Sequence, residues 1–317
     1  MIYETKPREK CILCNMDFGK VVNEPHNGIN YLNYVHTKTG DNYKKVYKDE
    51  NNLFEIHNNI GICGYCGLVQ TIEPMVEKSL EDFYRKPEIG ESEYRKIYPF
   101  SEYAALEHLQ YGLYFLRVCI QAEIVMNKVK FPIKEILDLG SGNDISLKYF
   151  NKTFVDSNIY VYDPGLTSEK SDVLNSIEGK KFDVIFILNV LEHVYDPVRF
   201  LRDLKEHLTD EGHIILSVPD VYKILLDTNA WFSGAHIFHF SFETLKKVVI
   251  KAGYEIRQSQ AMVDHIGGKL FINIKKNDTI GKDFYYKCNH VDKIKDYLYH
   301  VLMANNILRD IFLKELK

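Results

Sequence analysis

No apolar run in this sequence is long enough to cross a bilayer. The longest, such as VIFIL at 184–188, fall far short of the roughly 20 residues that a spanning helix needs. The opening MIYETKPREK has no apolar core of the kind a signal peptide carries. An excess of positive charge is missing too. There are 40 Lys and Arg against 44 Asp and Glu, for a formal charge of -4, and a dedicated nucleic-acid binder usually carries a strongly basic face. Internal repeats and low-complexity segments are absent. These absences lead us to expect a cytoplasmic protein with neither a membrane nor a nucleic-acid partner.

What is there suits a globular protein with a core. The 317 residues suggest about two domains, and 45% are hydrophobic and 26% charged. Four of the six cysteines form two C-x-x-C pairs, Cys11/Cys14 and Cys63/Cys66, while Cys119 and Cys288 stand alone. In a reducing compartment such pairs bind metal more often than they form disulfides. The alternative is four buried, unligated thiols.

The chain divides into four stretches. Residues 1–75 are loop-rich, with a cysteine pair towards either end. Residues 76–130 read as helical, with Ser101 as N-cap and Leu106, Leu109, Leu113 and Leu116 at helical spacing. From 131 to 280 strands alternate with helices: EILDLG, NIYVYD, FDVIFILNV and HIILSVP read as strands. A helix capped by Asp196 with Pro197 at its first position carries an apolar stripe through Phe200, Leu201, Leu204 and Leu208, with Gly212 just past its end. A second helix runs from Ser241 to about Ala252 and stops at Gly253, and YEIRQSQ and KLFINIKK follow as strands around HIGG. The tail 281–317 ends in an amphipathic helix, which suits either a dimer contact or packing on its own domain. Alternation of this kind predicts an α/β fold with a doubly wound, mostly parallel sheet.

The strongest local signal is ILDLGSGND. A strand holding Asp138 ends at Gly140-Ser141-Gly142, and a helix opens near Asp144 or Ile145. Glycines let backbone turn tightly and approach a ligand, and ligands of open α/β sheets sit at the carboxyl ends of the strands. A dinucleotide loop would have a third glycine where Ile145 stands, and Asp144 would repel a pyrophosphate. A cationic cofactor without phosphates, S-adenosylmethionine, fits this loop better, with Asp163 placed for the ribose hydroxyls.

LDLGSG, then VYDP, then FDVIFILNVLEHVYDPVRFLRDLKEHLTDEGHIILSVPD resembles class I S-adenosylmethionine-dependent methyltransferases across about 133–275. The resemblance implies a seven-stranded Rossmann-like sheet. It also implies cofactor contacts from Asp138, Gly140, Ser141, Gly142, Asp163, Pro164, Asn189 and Glu192. Asp172 is a candidate for the adenine contact. GICGYCGLVQ with its distant C-x-x-C is similar to the zinc-binding module of bacterial sugar methyltransferases, which implies a structural Zn²⁺ on Cys11, Cys14, Cys63 and Cys66. A closed Cys₄ site leaves no open position for chemistry, and ligation would contribute folding free energy to the loop-rich segment 15–62.

The C-methylating members of that family carry a further C-terminal domain, which shifts the expectation here to O-methylation of a sugar or sugar nucleotide, in surface-polysaccharide or glycan biosynthesis. Matching their histidine segment to WFSGAHIFHFS puts His236 on the family's active-site base, although Gly234 and Ala235 replace its first two motif residues. Histidine suits removal of a hydroxyl proton at neutral pH, and no catalytic metal is required. The bland readings are a structural His236, a packed ring at His239 and a loop-capping role for His193, which otherwise lines the pocket. The tyrosine-rich 81–103, with Tyr98, matches a stretch that closes over the active site in that family. Two other readings stay open: methylation of carbon, nitrogen or a phosphorus-linked oxygen, and a non-catalytic binding module built on the zinc knuckles.

Overall fold

The computed structural model describes residues 6–16, 48–49, 52–53, 60–72, 74–84, 113, 116–126, 131–140, 145–163, 172–224, 236–263, 267–277, 291, 293–294, 297–298 and 300. Two short strands, β1 (Lys48–Asp49) and β2 (Asn52–Leu53), pair with each other. The cysteine region adds β3 (Ile60–Ile62) and β4 (Val69–Thr71), followed by α1 (Glu77–Tyr84) and a second helix, α2, over 116–126. The main body then runs β5 (Glu135–Leu139), α3 (Ile145–Thr153), β6 (Asn158–Tyr162), β7 (Phe182–Leu188), α4 (Pro197–Asp203) and β8 (Leu208–Ile224). It closes with β9 (Phe238–His239), α5 (Phe242–Lys251), β10 (Tyr254–Val263) and β11 (Gly267–Lys276).

The principal sheet has the order β10-β11-β8-β7-β5-β6. Strands β6, β5, β7 and β8 are mutually parallel, and β11 enters antiparallel between β8 and β10. The expected seven strands are six among the described residues. Beyond β6 there is one parallel bridge, Val161 to Val173. It is held by Val161 N–H to the Asp172 carbonyl (2.8 Å) and Leu174 N–H to the Val161 carbonyl (2.8 Å). Among the described residues this bridge does not extend into a strand.

Alternation along β7 explains the two covered faces. Val184, Phe186 and Leu188 point to one side and join Val118, Ala122 and Val125 of α2 and Leu147 and Phe150 of α3. The Phe150 and Phe186 rings stack at 4.2 Å. Ile185 and Ile187 point to the other side, among Val198 and Leu201 of α4 and Leu245, Val248 and Val249 of α5. A strand buried on both faces with helices on each is the doubly wound arrangement.

The local caps formed as their sequences require. The Asp196 carboxylate accepts from Val198 and Arg199 N–H, with Pro197 at the first helical position. Ser241 and Thr244 form a reciprocal capping box on α5, and Gly253 follows the helix at φ +85°. The expected stripe through Leu208 is corrected: α4 ends at Asp203, a 3₁₀ turn covers Leu204–His207, and Leu208 opens β8. Gly212 therefore lies inside a strand, where a Cβ would come within 3.0 Å of the Phe182 carbonyl oxygen.

The cysteine region joins this body through a second sheet, β3-β4-β9. Val221, Val291, Ile294 and Leu298 bury against Ile60, Ile62 and Val69 of that sheet. The described part of the C-terminal helix therefore places its apolar stripe on its own chain. No helix among the described residues is long and apolar enough to cross a membrane.

Candidate active site and cysteine cluster

The strand order reverses at β5, with β6 on one side and β7 on the other, so their carboxyl ends open a crevice at a topological switch point. Gly140 stands at its centre. Its φ is +76°, and a Cβ there would lie 2.6 Å from Val190 Cγ2. Both the turn and the approach of the β7 exit demand glycine. Ser141, Gly142 and Pro164 lie outside the described residues, as do Tyr98 and the residues around it.

Asp138, one strand position before Leu139, is 1% exposed. Its carboxylate accepts a hydrogen bond from the Ser146 hydroxyl at the start of α3. Burial pushes its pKa up to about 7, the Ser146 bond pulls against that, and the nearby Asp163 adds to it. Asp163 follows β6 at the same end of the sheet and is partly exposed. Asp172 takes the edge position described above, where its backbone carbonyl serves the bridge.

Asn189 leaves β7 in the left-handed region, at φ +59°. Its N–H donates to the Ser217 carbonyl (3.0 Å). Its side-chain Oδ1 accepts from Lys269 Nζ (2.9 Å) and the Ser217 hydroxyl (3.3 Å). Sequence reasoning passed over Lys269. It is 7% exposed, and an irregularity in the β11–β8 register between Gly267 and Lys269 delivers it to the crevice. Gly268 permits this, since a Cβ there would lie 2.3 Å from the Lys223 Cβ.

Glu192 is 1% exposed. Its backbone carbonyl accepts from Ile237 (2.8 Å) and Phe238 (3.1 Å) N–H, and this fixes the β9 segment against the β7–α4 loop. Burial raises its carboxyl pKa, while His236 and Lys269 pull it back. His193 Nε2 lies 3.8 Å from Glu192 Oε1, and the His193 and His236 rings approach to 4.7 Å. The structure thus brings Glu192, His193 and His236 together, with one ligand-type atom of each within 4.8 Å of the others. His239 is 4% exposed and sits in β9 between Phe238 and Phe240, as a packed ring would.

The four paired cysteines converge as well. Cys11 Sγ lies 3.6 Å from Cys66 Sγ, and Cys14 Sγ lies 3.5 Å from Cys63 Sγ. The two C-x-x-C turns are near copies. Asn15 N–H donates to the Cys11 carbonyl and Gly67 N–H to the Cys63 carbonyl, both at 2.8 Å. Cys11 N–H reaches the Met16 carbonyl and Cys63 N–H the Leu68 carbonyl, both at 2.9 Å. Asn15 and Gly67 take φ +62° and +78°, a region that Asn and Gly tolerate. Thiolates around a tetrahedral Zn²⁺ stand about 3.8 Å apart, so the spacing fits a metal of that kind. Hydrogen bonds from Cys14 and the other thiols lower the Cys11 pKa, and contact with Cys11 raises those of Cys63 and Cys66. A cation between them would let all four ionise together. Gln70 Nε2 donates to Cys11 Sγ (3.3 Å) and the buried Lys247 Nζ to the Cys66 carbonyl (3.2 Å). Neither partner was evident in the sequence.

Residues 118–259 match the family model described as a methyltransferase domain. Over 82 residues the chain is 37% identical to a tRNA U34 carboxymethyltransferase of Campylobacter jejuni subsp. doylei, covering 24% of this chain and 28% of that protein. It is 29% identical over 119 residues to the mitochondrial ubiquinone biosynthesis O-methyltransferase of Schizosaccharomyces pombe, covering 32% of this chain and 43% of that one. The chain therefore spans less than half the length of the curated relatives it matches. Among solved structures, the plantazolicin methyltransferase BpumL with S-adenosylhomocysteine superposes with a TM-score of 0.45 at 14% identity, covering 63% of this chain and 97% of that one. Residues 118–259, a little under half of the chain, are thus similar to a methyltransferase domain.

Proposed function

We propose that this protein transfers a methyl group from S-adenosylmethionine to an oxygen of a small acceptor, a sugar or nucleotide-linked sugar, with His236 as the general base. The observation that carries the reading is the meeting of Glu192, His193 and His236 at the strand ends beside Gly140. The acceptor class rests on the resemblance of GICGYCGLVQ and its distant C-x-x-C to the sugar methyltransferases.

Bound S-adenosylmethionine supplies a methyl carbon already activated by its sulfonium. The chain's task is to align the acceptor, exclude water and take one proton. Gly140 keeps the crevice open where any side chain would strike Val190. Asp138 and Asp163 offer carboxylates to a cationic cofactor. His236 receives the acceptor's hydroxyl proton as the new carbon–oxygen bond forms and the carbon–sulfur bond breaks. The buried carboxylate of Glu192 favours the imidazolium that results, since the two groups attract each other. The Thr71 hydroxyl donates to the His236 carbonyl (3.4 Å) and Thr71 N–H to that of Ile237 (2.8 Å), so β4 holds the histidine segment in register. We assign the four cysteines to one structural Zn²⁺, which would anchor β4 itself.

The test is an acceptor panel read by mass spectrometry for one added methyl group. It comprises sugar nucleotides, free sugars, phosphorylated sugars and, because one relative acts on tRNA, unmodified tRNA. Methylation of a sugar by wild type and its loss in His236→Ala, with cofactor binding retained, is the expected result. Turnover of tRNA or of a nitrogen acceptor alone would overturn the acceptor assignment.

A further inference from the structure

The Glu192–His193–His236 cluster has a donor set beyond what a single proton transfer needs. It offers two imidazole nitrogens and one carboxylate, all within 4.8 Å of one another. Ligand atoms around a tetrahedral Zn²⁺ lie about 3.4 Å apart. The two imidazoles are partly exposed, and rotation of their rings about the side-chain bonds is the adjustment that binding would require. Glu192 adds a second, independent observation: its side chain is 1% exposed, and Oε2 has no hydrogen-bond partner among the described residues. A buried carboxylate oxygen left in this state is suited to a cation. The backbone bonds from Ile237 and Phe238 to the Glu192 carbonyl hold the ligands' two segments together before any ion arrives.

The ligand types select the ion. Two imidazoles with one carboxylate favour borderline transition metals over Mg²⁺ or Ca²⁺, which prefer oxygen alone. Three protein ligands leave a coordination position open, unlike the closed set of four cysteines.

We propose that Glu192, His193 and His236 form a second metal site that takes one exchangeable divalent cation of the zinc, cobalt or nickel class, and that its occupancy blocks proton removal by His236. The second half rests on the base assignment made above. A metal-bound imidazole nitrogen has no lone pair for a proton, so occupancy and turnover exclude each other. The cation would act as a reversible inhibitor.

The experiment titrates Co²⁺ into the full-length protein as purified, with metal content counted per chain before and after. The expected result is one cation taken up in addition to any held by the cysteines. It should show ligand-field bands without sulfur-to-cobalt charge transfer and should shift the resonances of two histidines. Glu192→Gln and His236→Gln should each weaken this uptake by about tenfold or more, since even outer partners of metal ligands cost that much. His207→Gln should leave it unchanged. No added uptake by wild type, or uptake with thiolate charge transfer only, would overturn the site. The histidine shifts in wild type keep the test decisive if a variant fails to fold. Turnover with the acceptor is then measured at rising Zn²⁺. Loss of turnover that a mild chelator reverses supports the inhibitory half. A second cation bound with turnover unchanged would overturn that half and the base role of His236, leaving the site itself in place.

Discussion

Val69, in the strand that follows the second cysteine pair, lies directly opposite His239 in the register of β4 and β9. Through this pairing the cysteine cluster is built into the wall of the candidate active site. Cys66 ends the second knuckle, Gly67 turns the chain, and only Leu68 separates that turn from β4. Arg8, just before the first knuckle, donates to the Tyr195 carbonyl (2.7 Å) and holds its guanidinium carbon 4.9 and 5.1 Å from the centres of the Tyr195 and Phe238 rings. Both knuckles therefore press on the segment that carries His236.

Loss of the Zn²⁺ proposed for the four cysteines should accordingly damage catalysis more than cofactor binding. The crevice beside Gly140 is built from β5, β6 and β7, whose register is set by their pairing with one another. Cys63→Ser, or removal of the metal with a strong chelator, should lower kcat by about tenfold or more while the Kd for S-adenosylhomocysteine moves less than about threefold. Calorimetry and turnover on the same preparation check this. Equal losses in both would show that the metal supports the whole fold.

If Asp138 serves the cofactor as proposed, stability and cofactor affinity should respond to pH in opposite senses. Its folded-state pKa is pushed up to about 7 by burial, whereas in the unfolded chain it titrates about three units lower. Between those values the folded protein holds a proton that the unfolded chain has released. Stability therefore falls as pH rises through this window, by at most about 1.4 kcal/mol per pH unit, and levels off above the folded pKa. Asp138→Asn, which keeps an oxygen for Ser146, should flatten that part of the Tm-versus-pH curve. Affinity for the cationic cofactor should instead tighten as pH rises through about 7, because the ionised carboxylate attracts it.

Those elements whose signals are local were legible in the sequence. Asp196-Pro197, the helix start at Ser241 and the stop at Gly253 each sit within one helical turn of the end they define, and all three formed as expected. The apolar runs of β5, β6 and β7 likewise fixed their strands. Leu208 misled because it continues a helical spacing that backbone at Gly212 and the pairing with β7 override. The contact of Glu192 with His236 depends on where β9 docks, and β9 is placed by a strand from the cysteine region, so no local pattern foretold it. Lys269 was hidden for a similar reason: only the packing of Gly268 against Lys223 shows that the strand is irregular there.

Asn189 separates backbone strain from side-chain bonding. A left-handed φ of +59° costs a residue with a Cβ about 1–2 kcal/mol unless it is Asn or Asp. Both Asn189→Gly and Asn189→Ala remove the acceptor used by Lys269 and Ser217. Only alanine also meets the steric penalty. Glycine at 189 should therefore be more stable than alanine by about 1 kcal/mol, read from chemical denaturation. Equal stabilities would mean that the turn relaxes out of the left-handed region.

Gly140 offers the sharpest test of the crevice. A methyl group added there would stand 2.6 Å from Val190 Cγ2, on a backbone at φ +76°. Gly140→Ala thus carries two separate penalties, one steric against Val190 and one conformational. The clash is with a side chain, so Val190→Ala should remove it and leave the conformational part, about 1–2 kcal/mol. Gly140→Ala alone should weaken S-adenosylmethionine binding by about a hundredfold or abolish it, and the double variant should recover part of the loss. The recovery isolates the Val190 contact as the cause. If Val190→Ala restores nothing, the glycine is required by its φ or by direct approach of the cofactor, and the meeting of the β5 and β7 exits is not what shapes the pocket.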